Sequence, residues 1–188
     1  MNTFVEKMKF KLESPIRVNQ LKPKETLEKL GFTDGMTLCD IGAGTGLFSI
    51  PASSISKDKI YALDISQDMV DYLNSKKREL SLESLTPMKV EGDRLPLESN
   101  TIDLALLITV LHEVDDKECT LKEIKRILKD LGQAYIVEFY KKETPYGPPV
   151  DIRIDAEEII KLCQEIGFDF VEEINISESF YGVLLKNK

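Results

Sequence analysis

Three glycines at alternate positions form the spacing that points most directly to chemistry. Gly42, Gly44 and Gly46 follow an apolar run, Leu38–Ile41, and a segment with helical spacing begins after them. Glycine allows positive φ and lets a ligand approach the main chain closely. Three of them where a strand turns into a helix indicate a cofactor bound at that corner. A glycine-rich turn without a ligand is the alternative, and residues downstream decide between the two.

Two aspartates follow later strands of the predicted sheet. Asp64 ends the second strand, 18 residues after Gly46, and Asp93 follows the third. Ligands of such sheets bind at the carboxyl ends of the strands, where these residues and Asp40 would meet. A carboxylate at Asp64 can accept hydrogen bonds from both ribose hydroxyls, and Asp93 would lie where an adenine reaches. Each aspartate alone could equally be a turn residue or a helix cap.

The glycine spacing selects the kind of cofactor. A dinucleotide fingerprint reads G-x-G-x-x-G, whereas this loop reads G-x-G-x-G and follows Asp40. A carboxylate repels a pyrophosphate and attracts a cationic α-amino group. The pattern therefore favours S-adenosylmethionine over a nicotinamide dinucleotide, and a nicotinamide-dependent oxidoreductase is the disfavoured alternative.

Alternating strands and helices position these residues. Apolar runs predict strands near residues 36–41, 59–65, 86–90, 102–110, 133–140, 169–174 and 179–186. Helical spacing lies between them at 47–56, 67–80, 117–128 and 156–166. Leu131-Gly132 is predicted to close the third of these helices. The alternation indicates a parallel, doubly wound α/β sheet.

Composition limits the possible partners. The 188 residues predict one domain, and a net charge of −8 disfavours a nucleic-acid or anionic-membrane partner. No apolar stretch is long enough to span a bilayer, and the first residues lack a signal sequence, which predicts a cytoplasmic protein. The three cysteines are widely spaced, so neither a metal site nor a disulfide is predicted.

The motifs together resemble the class I S-adenosylmethionine-dependent methyltransferases. Asp40–Gly46 resembles their first motif, Leu63–Ser66 the second and Gly92–Pro96 the third. Ile102–Leu107 matches the strand-four motif, and Leu128–Gln133 resembles the turn before strand five, with Asp-Leu-Gly where a proline and a glycine usually stand. The similarity covers residues 25–186 and is strongest to the small-molecule subgroup of ubiquinone/menaquinone-pathway methyltransferases.

This resemblance implies a fold and a domain plan. The expected fold is Rossmann-like and doubly wound, with a mostly parallel seven-stranded sheet, an antiparallel last strand and helices on both faces. One domain would span residues 1–188. Within it, residues 1–24 would form an irregular or partly helical lead-in or lid, and residues 25–188 the cofactor-binding core.

The resemblance also implies roles at the amino-acid and ribose end of the cofactor. Asp40 would hold the ammonium group, directly or through water, and Asp64 the ribose hydroxyls. The main chain of the loop would pack against the amino-acid moiety at Gly42, Ala43, Gly44 and Gly46.

Further cofactor contacts are implied around the adenine and the methionyl arm. Ile65 and Met69 would pack on the adenine, whose amino group Asp93 would bind. Arg94 would add a main-chain contact, and Thr109 would line the methionyl arm. Gly92 belongs to the same turn as Asp93.

Candidates for the acceptor side follow strands four and five. His112, the only histidine, is a candidate general base or a hinge residue that packs the next helix. Glu138, Tyr140 and Arg153 are candidates for the acceptor pocket, although strand-end polar residues can also be solvated and Arg153 can pair with a carboxylate.

The predicted function is methyl transfer to a small molecule by in-line displacement, with S-adenosylhomocysteine as product. The resemblance disfavours a nucleic-acid base as acceptor, because the strand-four corner lacks an N-P-P-Y-like tetrapeptide. An arsenite acceptor is disfavoured because Cys119 and Cys163 lie on predicted helices. A non-catalytic S-adenosylmethionine-binding or regulatory protein is the alternative, and carbon, oxygen and nitrogen remain open as methylated atoms.

Overall fold

The computed structural model describes residues 3–188 and contains two compact units, Met1–Gly92 and Asp93–Lys188. The single domain expected over residues 1–188 stays a prediction. Within the described residues, every helix is too short or too polar to cross a membrane.

Helices and strands alternate through most of the chain. Over the described residues the helices are α1 (Thr3–Leu12), α2 (Pro15–Leu21), α3 (Pro23–Lys29), α4 (Ser49–Ile55), α5 (Gln67–Glu79), α6 (Lys117–Ile127) and α7 (Ala156–Ile166). The strands are β1 (Leu38–Ile41), β2 (Ile60–Asp64), β3 (Leu85–Lys89), β4 (Ile102–Ile108), β5 (Leu128–Phe139), β6 (Phe168–Asn175) and β7 (Phe180–Asn187). Short 3-10 turns cover Leu111–Glu113 and Val150–Ile152.

The first unit holds three parallel strands. β2 pairs with β1, where Ile41 lies opposite Leu63, and with β3, where Asp64 lies opposite Lys89. All of β1 is buried, and so is β2 except for the half-buried Tyr61. Such continuous burial is typical of parallel strands that are covered on both faces.

The lead-in of the first unit is more regular than the sequence predicted. Within the lead-in predicted for residues 1–24, residues 3–12 and 15–21 form α1 and α2, and α3 begins at Pro23. Pro15 and Pro23 each begin a helix, where the missing N–H costs nothing and the fixed φ suits the first turn. Lys22 links the two helices in a left-handed conformation with φ 42°.

The second unit combines parallel and antiparallel pairing. β4 runs parallel to β5, with Ile108 opposite Val137. β7 runs antiparallel to both β5 and β6. The strand order is β3-β2-β1-β4-β5-β7-β6 in one seven-stranded sheet. The predicted mostly parallel, Rossmann-like sheet with an antiparallel last strand is therefore confirmed.

The predicted boundary between α6 and β5 is wrong. The helix ends at Ile127, and Leu128 is already extended and paired with Ile102. Leu131-Gly132 thus lies inside β5, near an irregularity in its pairing. A Cβ at Gly132 would lie 2.9 Å from the Lys129 carbonyl oxygen, so this position requires glycine for space.

Candidate functional site

The glycine loop of the first unit has a backbone that other residues adopt with difficulty. Gly42, Gly44 and Gly46 have φ values of 71°, 53° and 83°. A Cβ at Gly44 would lie 2.7 Å from Leu12 Cδ1, and one at Gly46 would lie 2.7 Å from Leu73 Cδ2. The loop therefore depends on its glycines, and Leu12 of α1 lies directly on it.

Asp64 anchors this loop to the end of β2. Its Oδ2 accepts the Gly44 main-chain N–H at 2.8 Å, and its Oδ1 accepts the Ser66 N–H at 2.8 Å. The buried Ala43 donates its N–H to the Leu63 carbonyl at 2.9 Å. A carboxylate has about four acceptor sites, so Asp64 keeps capacity for the hydroxyls of a ribose. The predicted ribose contact stays a prediction that this geometry fits.

The Asp40 side chain accepts hydrogen bonds from the first residue of α4. It is 3% exposed, and its Oδ2 accepts the main-chain N–H of Ser49 at 3.1 Å as well as the Ser49 hydroxyl. Burial raises the Asp40 pKa to about 6, against the lowering effect of the Ser49 hydrogen bonds, and the charge of Asp64 raises it further. Asp40 thus fixes the helix that follows the loop, and its contact with an ammonium group stays a prediction.

Side chains beside the loop differ in what they offer a ligand. Ile65 is 78% exposed, whereas Met69 is 1% exposed and belongs to the core. Of the two residues predicted to pack on an adenine, Ile65 has the exposed surface for it, and the contact of the buried Met69 stays a prediction. The Thr45 hydroxyl is buried and has no hydrogen-bond partner within residues 3–188. An orphaned hydroxyl costs about 1–3 kcal/mol, which a bound polar group would recover.

This part of the first unit therefore fits a ligand with ribose, adenine and polar amino-acid parts. The residues that would meet the ligand are Gly42, Gly44, Asp64, Ile65 and Thr45, whose hydroxyl has no partner in the described residues. Gly92, at the end of the first unit, has φ 72° and open space around it.

His112 and Glu138 form a buried pair in the second unit. His112 Nδ1 lies 2.7 Å from Glu138 Oε2, and the two side chains are 3% and 1% exposed. The main-chain N–H of His112 also donates to Glu138 Oε1 at 3.1 Å. His112 Nε2 lies 3.7 Å from the carboxylate of Glu113, whose side chain is 62% exposed. A carboxylate at Nδ1 fixes the tautomer that carries its proton there, which leaves Nε2 as the basic nitrogen.

The chain that leads to His112 leaves β4 through a strained residue. Thr109 has φ 56°, which is an outlier for a β-branched side chain, and its N–H donates to the Val137 carbonyl at 2.7 Å. Such strain costs about 1–3 kcal/mol and is concentrated at functional sites. Asp93 and Arg94 are exposed at the start of this unit. The cofactor contacts of these three residues stay predictions.

Arg153 is not available to an anionic acceptor, contrary to the sequence-based expectation. Its side chain is buried and donates to the carbonyls of Pro148, Tyr140 and Lys142 at 2.7–2.9 Å. It also lies over the Phe139 ring, 5.2 Å from the centroid. Arg153 therefore holds the 141–155 loop closed on the end of β5.

Tyr140 is half-buried at that end, against Tyr181 with a centroid distance of 5.3 Å. Burial raises the pKa of its phenol, and the charge of Glu173 adds to the effect. The hydroxyl therefore stays protonated near neutral pH. Its contact with an acceptor stays a prediction.

Two contacts, one in each unit, were not predicted from the sequence. His112 and Glu138 were predicted with separate roles, although His112 follows β4 and Glu138 lies near the end of β5, the neighbouring parallel strand, which could have indicated a pair. The contact of Ser49 with Asp40 was also not predicted, and a serine at the first helical position was the available signal for it.

Comparison with known proteins identifies the family. The family described as "Methyltransferase domain" matches residues 39–136, just over half of the chain. The chain belongs to this methyltransferase family. Its glycine loop, Asp64 and His112–Glu138 pair all lie inside or next to the matched segment.

Individual relatives agree with the family. A demethylmenaquinone methyltransferase of Oceanobacillus iheyensis is 30% identical over 61% of this chain and 49% of its own length. The ubiquinone/menaquinone biosynthesis C-methyltransferase UbiE of Haemophilus ducreyi is 28% identical over 66% of this chain and 49% of its own. The chain thus spans about half the length of the curated relatives it matches.

One solved structure matches nearly the whole chain. A SAM-dependent methyltransferase from Aquifex aeolicus superimposes with a TM-score of 0.90 at 27% identity and covers 98% of both chains. These comparisons confirm the predicted resemblance to the class I S-adenosylmethionine-dependent methyltransferases.

Proposed function

We propose that this protein transfers the methyl group of S-adenosylmethionine to a small molecule whose reacting group must first lose a proton. The buried pair of His112 and Glu138 carries the proposal, because a neutral imidazole oriented by a carboxylate is the usual arrangement of a general base. The predicted cytoplasmic location belongs to the same proposal.

The proposed acceptor is a hydroxylated aromatic ring. The relatives named above include methyltransferases of demethylmenaquinone and of ubiquinone and menaquinone biosynthesis. Loss of a ring-hydroxyl proton places negative charge on the oxygen and on ring carbons next to it. Either atom can then attack a methyl group, so the proposal covers carbon and oxygen methylation.

The first unit would hold the methyl donor. When bound, S-adenosylmethionine supplies an electrophilic methyl group on a sulfonium. Asp64 would accept from the ribose hydroxyls through the lone pairs that Gly44 and Ser66 leave free. Ile65 would cover one face of the adenine.

The second unit would remove the hydroxyl proton of the methyl acceptor. With Nδ1–H donated to Glu138, His112 Nε2 can accept the acceptor's hydroxyl proton. Glu138 then stabilises the imidazolium, since the two charges are buried and in contact. Glu113 provides an exposed carboxylate 3.7 Å from Nε2, through which the proton reaches water after turnover.

A methyl-transfer assay with paired acceptors tests this function. The purified protein is incubated with methyl-labelled S-adenosylmethionine and a set of hydroquinones and naphthols, each beside its fully O-methylated counterpart. We expect label transfer to the free-hydroxyl compounds only. Equal transfer to the blocked compounds would contradict a role for proton removal. Binding of S-adenosylhomocysteine by calorimetry without transfer to any compound would support the non-catalytic alternative instead.

A further inference from the structure

The end of β5 and the residues that lead into β7 form a polar face of the second unit. Glu138 lies opposite Tyr181 in the antiparallel pairing of the two strands. Just beyond β5, the Tyr140 N–H donates to the Ser179 carbonyl at 3.0 Å, which extends this pairing. Side chains directly opposite each other, or two apart on one strand, share a face of a sheet, and the Tyr140 and Tyr181 rings accordingly lie 5.3 Å apart between centroids. Ser179 therefore lies on the face that holds Glu138, the partner of the proposed base.

Ser179 carries a buried hydroxyl that the second unit does not use. The residue is 0% exposed, and its Oγ has no hydrogen-bond partner within residues 3–188. Two neighbouring side chains on this face are already bound, because Glu138 accepts from His112 and the Tyr181 hydroxyl donates to the Ile154 carbonyl at 2.7 Å. A buried hydroxyl without a partner costs free energy, so such groups normally have one. We therefore expect a bound molecule to supply the partner of Ser179.

The turn that precedes β7 does not need this hydroxyl. Ser177 Oγ accepts the main-chain N–H groups of Ser179 and Phe180, each at 3.2 Å. The Ser177 N–H in turn donates to the Phe180 carbonyl at 3.2 Å. The Ser177 side chain and the main chain thus close the turn, and the side chain of Ser179 adds no hydrogen bond to it. A ligand explains a serine at position 179 better than the fold does.

Tyr140 is the side chain directly opposite Ser179, and it is half-buried. Its ring contacts Tyr181 and lies 4.6 Å from the Lys142 ammonium, measured to the centroid. Within residues 3–188 its hydroxyl makes no hydrogen bond. A change of the Tyr140 rotamer would therefore open this side of Ser179 without breaking a hydrogen bond.

We propose that the Ser179 hydroxyl donates a hydrogen bond to a second polar group of the methyl acceptor and so favours acceptors that carry one. Ser179 lies two residues from Tyr181, about 7 Å along the strand. This distance is comparable to the length of an aromatic ring. A ring whose hydroxyl meets the His112–Glu138 pair can thus present an oxygen on its far side to Ser179, once Tyr140 has moved aside. The inference rests on the proposed function, since it requires an aromatic acceptor at His112.

Two acceptors that differ in a single group test the proposal. The compound 4-methoxy-1-naphthol carries an ether oxygen on the far side of its ring, where 4-ethyl-1-naphthol carries a methylene. Methyl-transfer kinetics are measured with both compounds in wild type, in Ser179→Ala and in Ser99→Ala, which removes an exposed hydroxyl of the same unit. We expect Ser179→Ala to raise KM for the methoxy compound about 3- to 10-fold, the usual effect of one lost hydrogen bond, with kcat within about twofold. Its KM for the ethyl compound, and both KM values of Ser99→Ala, should match wild type.

The thermal stability of Ser179→Ala is a second measurement, and it does not depend on the acceptor. Removing a hydroxyl that has no partner should leave Tm within about 2 °C of wild type. A larger fall would show that the hydroxyl has a partner in the free protein, such as a buried water, and would overturn the proposal. An equal change in KM for both compounds, or no change for either, would also overturn it and leave the proposed function intact. If wild type methylates neither compound, the proposed function fails for aromatic acceptors, and this inference fails with it.

Discussion

Asp64 in the first unit and Glu138 in the second are both buried carboxylates near the carboxyl ends of strands, but they bind different partners. Asp64 accepts two main-chain N–H groups, from Gly44 and Ser66. Glu138 accepts one main-chain N–H and the imidazole of the same residue, His112. A main-chain N–H keeps its proton at every relevant pH, whereas an imidazole can gain or lose one near neutral pH.

Because their partners differ, the two carboxylates suit different roles. Asp64 is a permanent acceptor that fixes the shape of the glycine loop, so it suits ligand binding. Glu138 orients the His112 ring and fixes its tautomer, so it suits proton transfer. Substitutions in the first unit should therefore change the affinity for the methyl donor, and substitutions in the second unit should change the turnover.

The largest effect is expected from His112→Ala, which removes the proposed base. We expect kcat to fall about 10²- to 10⁴-fold, the usual contribution of a general base, with the affinity for S-adenosylhomocysteine unchanged within about twofold. Single-turnover methyl transfer and calorimetry measure the two quantities. Glu138→Gln should lower kcat as well, because an amide cannot stabilise an imidazolium. A parallel loss of affinity in His112→Ala would remove the contrast with Asp64.

The reverse pattern is expected from Asp64→Asn. We expect the affinity for S-adenosylhomocysteine to fall about 10- to 100-fold, because an acceptor of charged hydrogen bonds is lost, while kcat at saturating methyl donor changes little. The exposed Asp68 of the same unit supplies the matched control, Asp68→Asn, which should bind normally. Wild-type affinity in Asp64→Asn would refute the ribose contact.

The order of elements was predictable because it depends on local patterns. The glycine loop, most of the apolar strands and the Gly167 that ends α7 are each visible within a few residues of sequence, and the structure places β1, β2 and α7 within a few residues of their predictions. The start of β5 was not predictable, since it depends on pairing between Leu128 and Ile102 across 26 residues of chain.

The roles of the polar side chains were less predictable for the same reason. His112 and Glu138 meet because β4 and β5 pair in one register, and no local pattern encodes that register. Arg153 is polar and follows a proline-rich loop, which suggested a ligand, yet its donors go to the main-chain carbonyls of Pro148, Tyr140 and Lys142. Whether an arginine serves a ligand or the main chain depends on tertiary contacts that the sequence does not show.

A third carboxylate, Asp40, extends the comparison to stability. Its pKa is raised from 3.8 to about 6 by burial, so between these values the folded protein keeps a proton that the unfolded chain has released. This group therefore lowers the free energy of unfolding by about 3 kcal/mol as pH rises from about 4 to above 6. In Asp40→Asn that decline should be absent. Urea unfolding of both proteins at several pH values measures the difference, and parallel pH profiles would contradict the buried, proton-binding Asp40.

The smallest effect is expected from Ser49→Ala, which removes the hydroxyl that binds Asp40 and keeps the main-chain N–H. We expect a loss of about 1 kcal/mol in the free energy of unfolding, the usual value of one hydrogen bond. Because that bond favours the ionised carboxylate, the loss should be larger at pH 8 than at pH 5, where Asp40 is mostly protonated. Ser54→Ala, on the exposed face of the same helix, should show no such pH dependence. Identical profiles for the two variants would mean that Asp40 is fixed by the main chain alone, which would make it resemble Asp64 rather than Glu138.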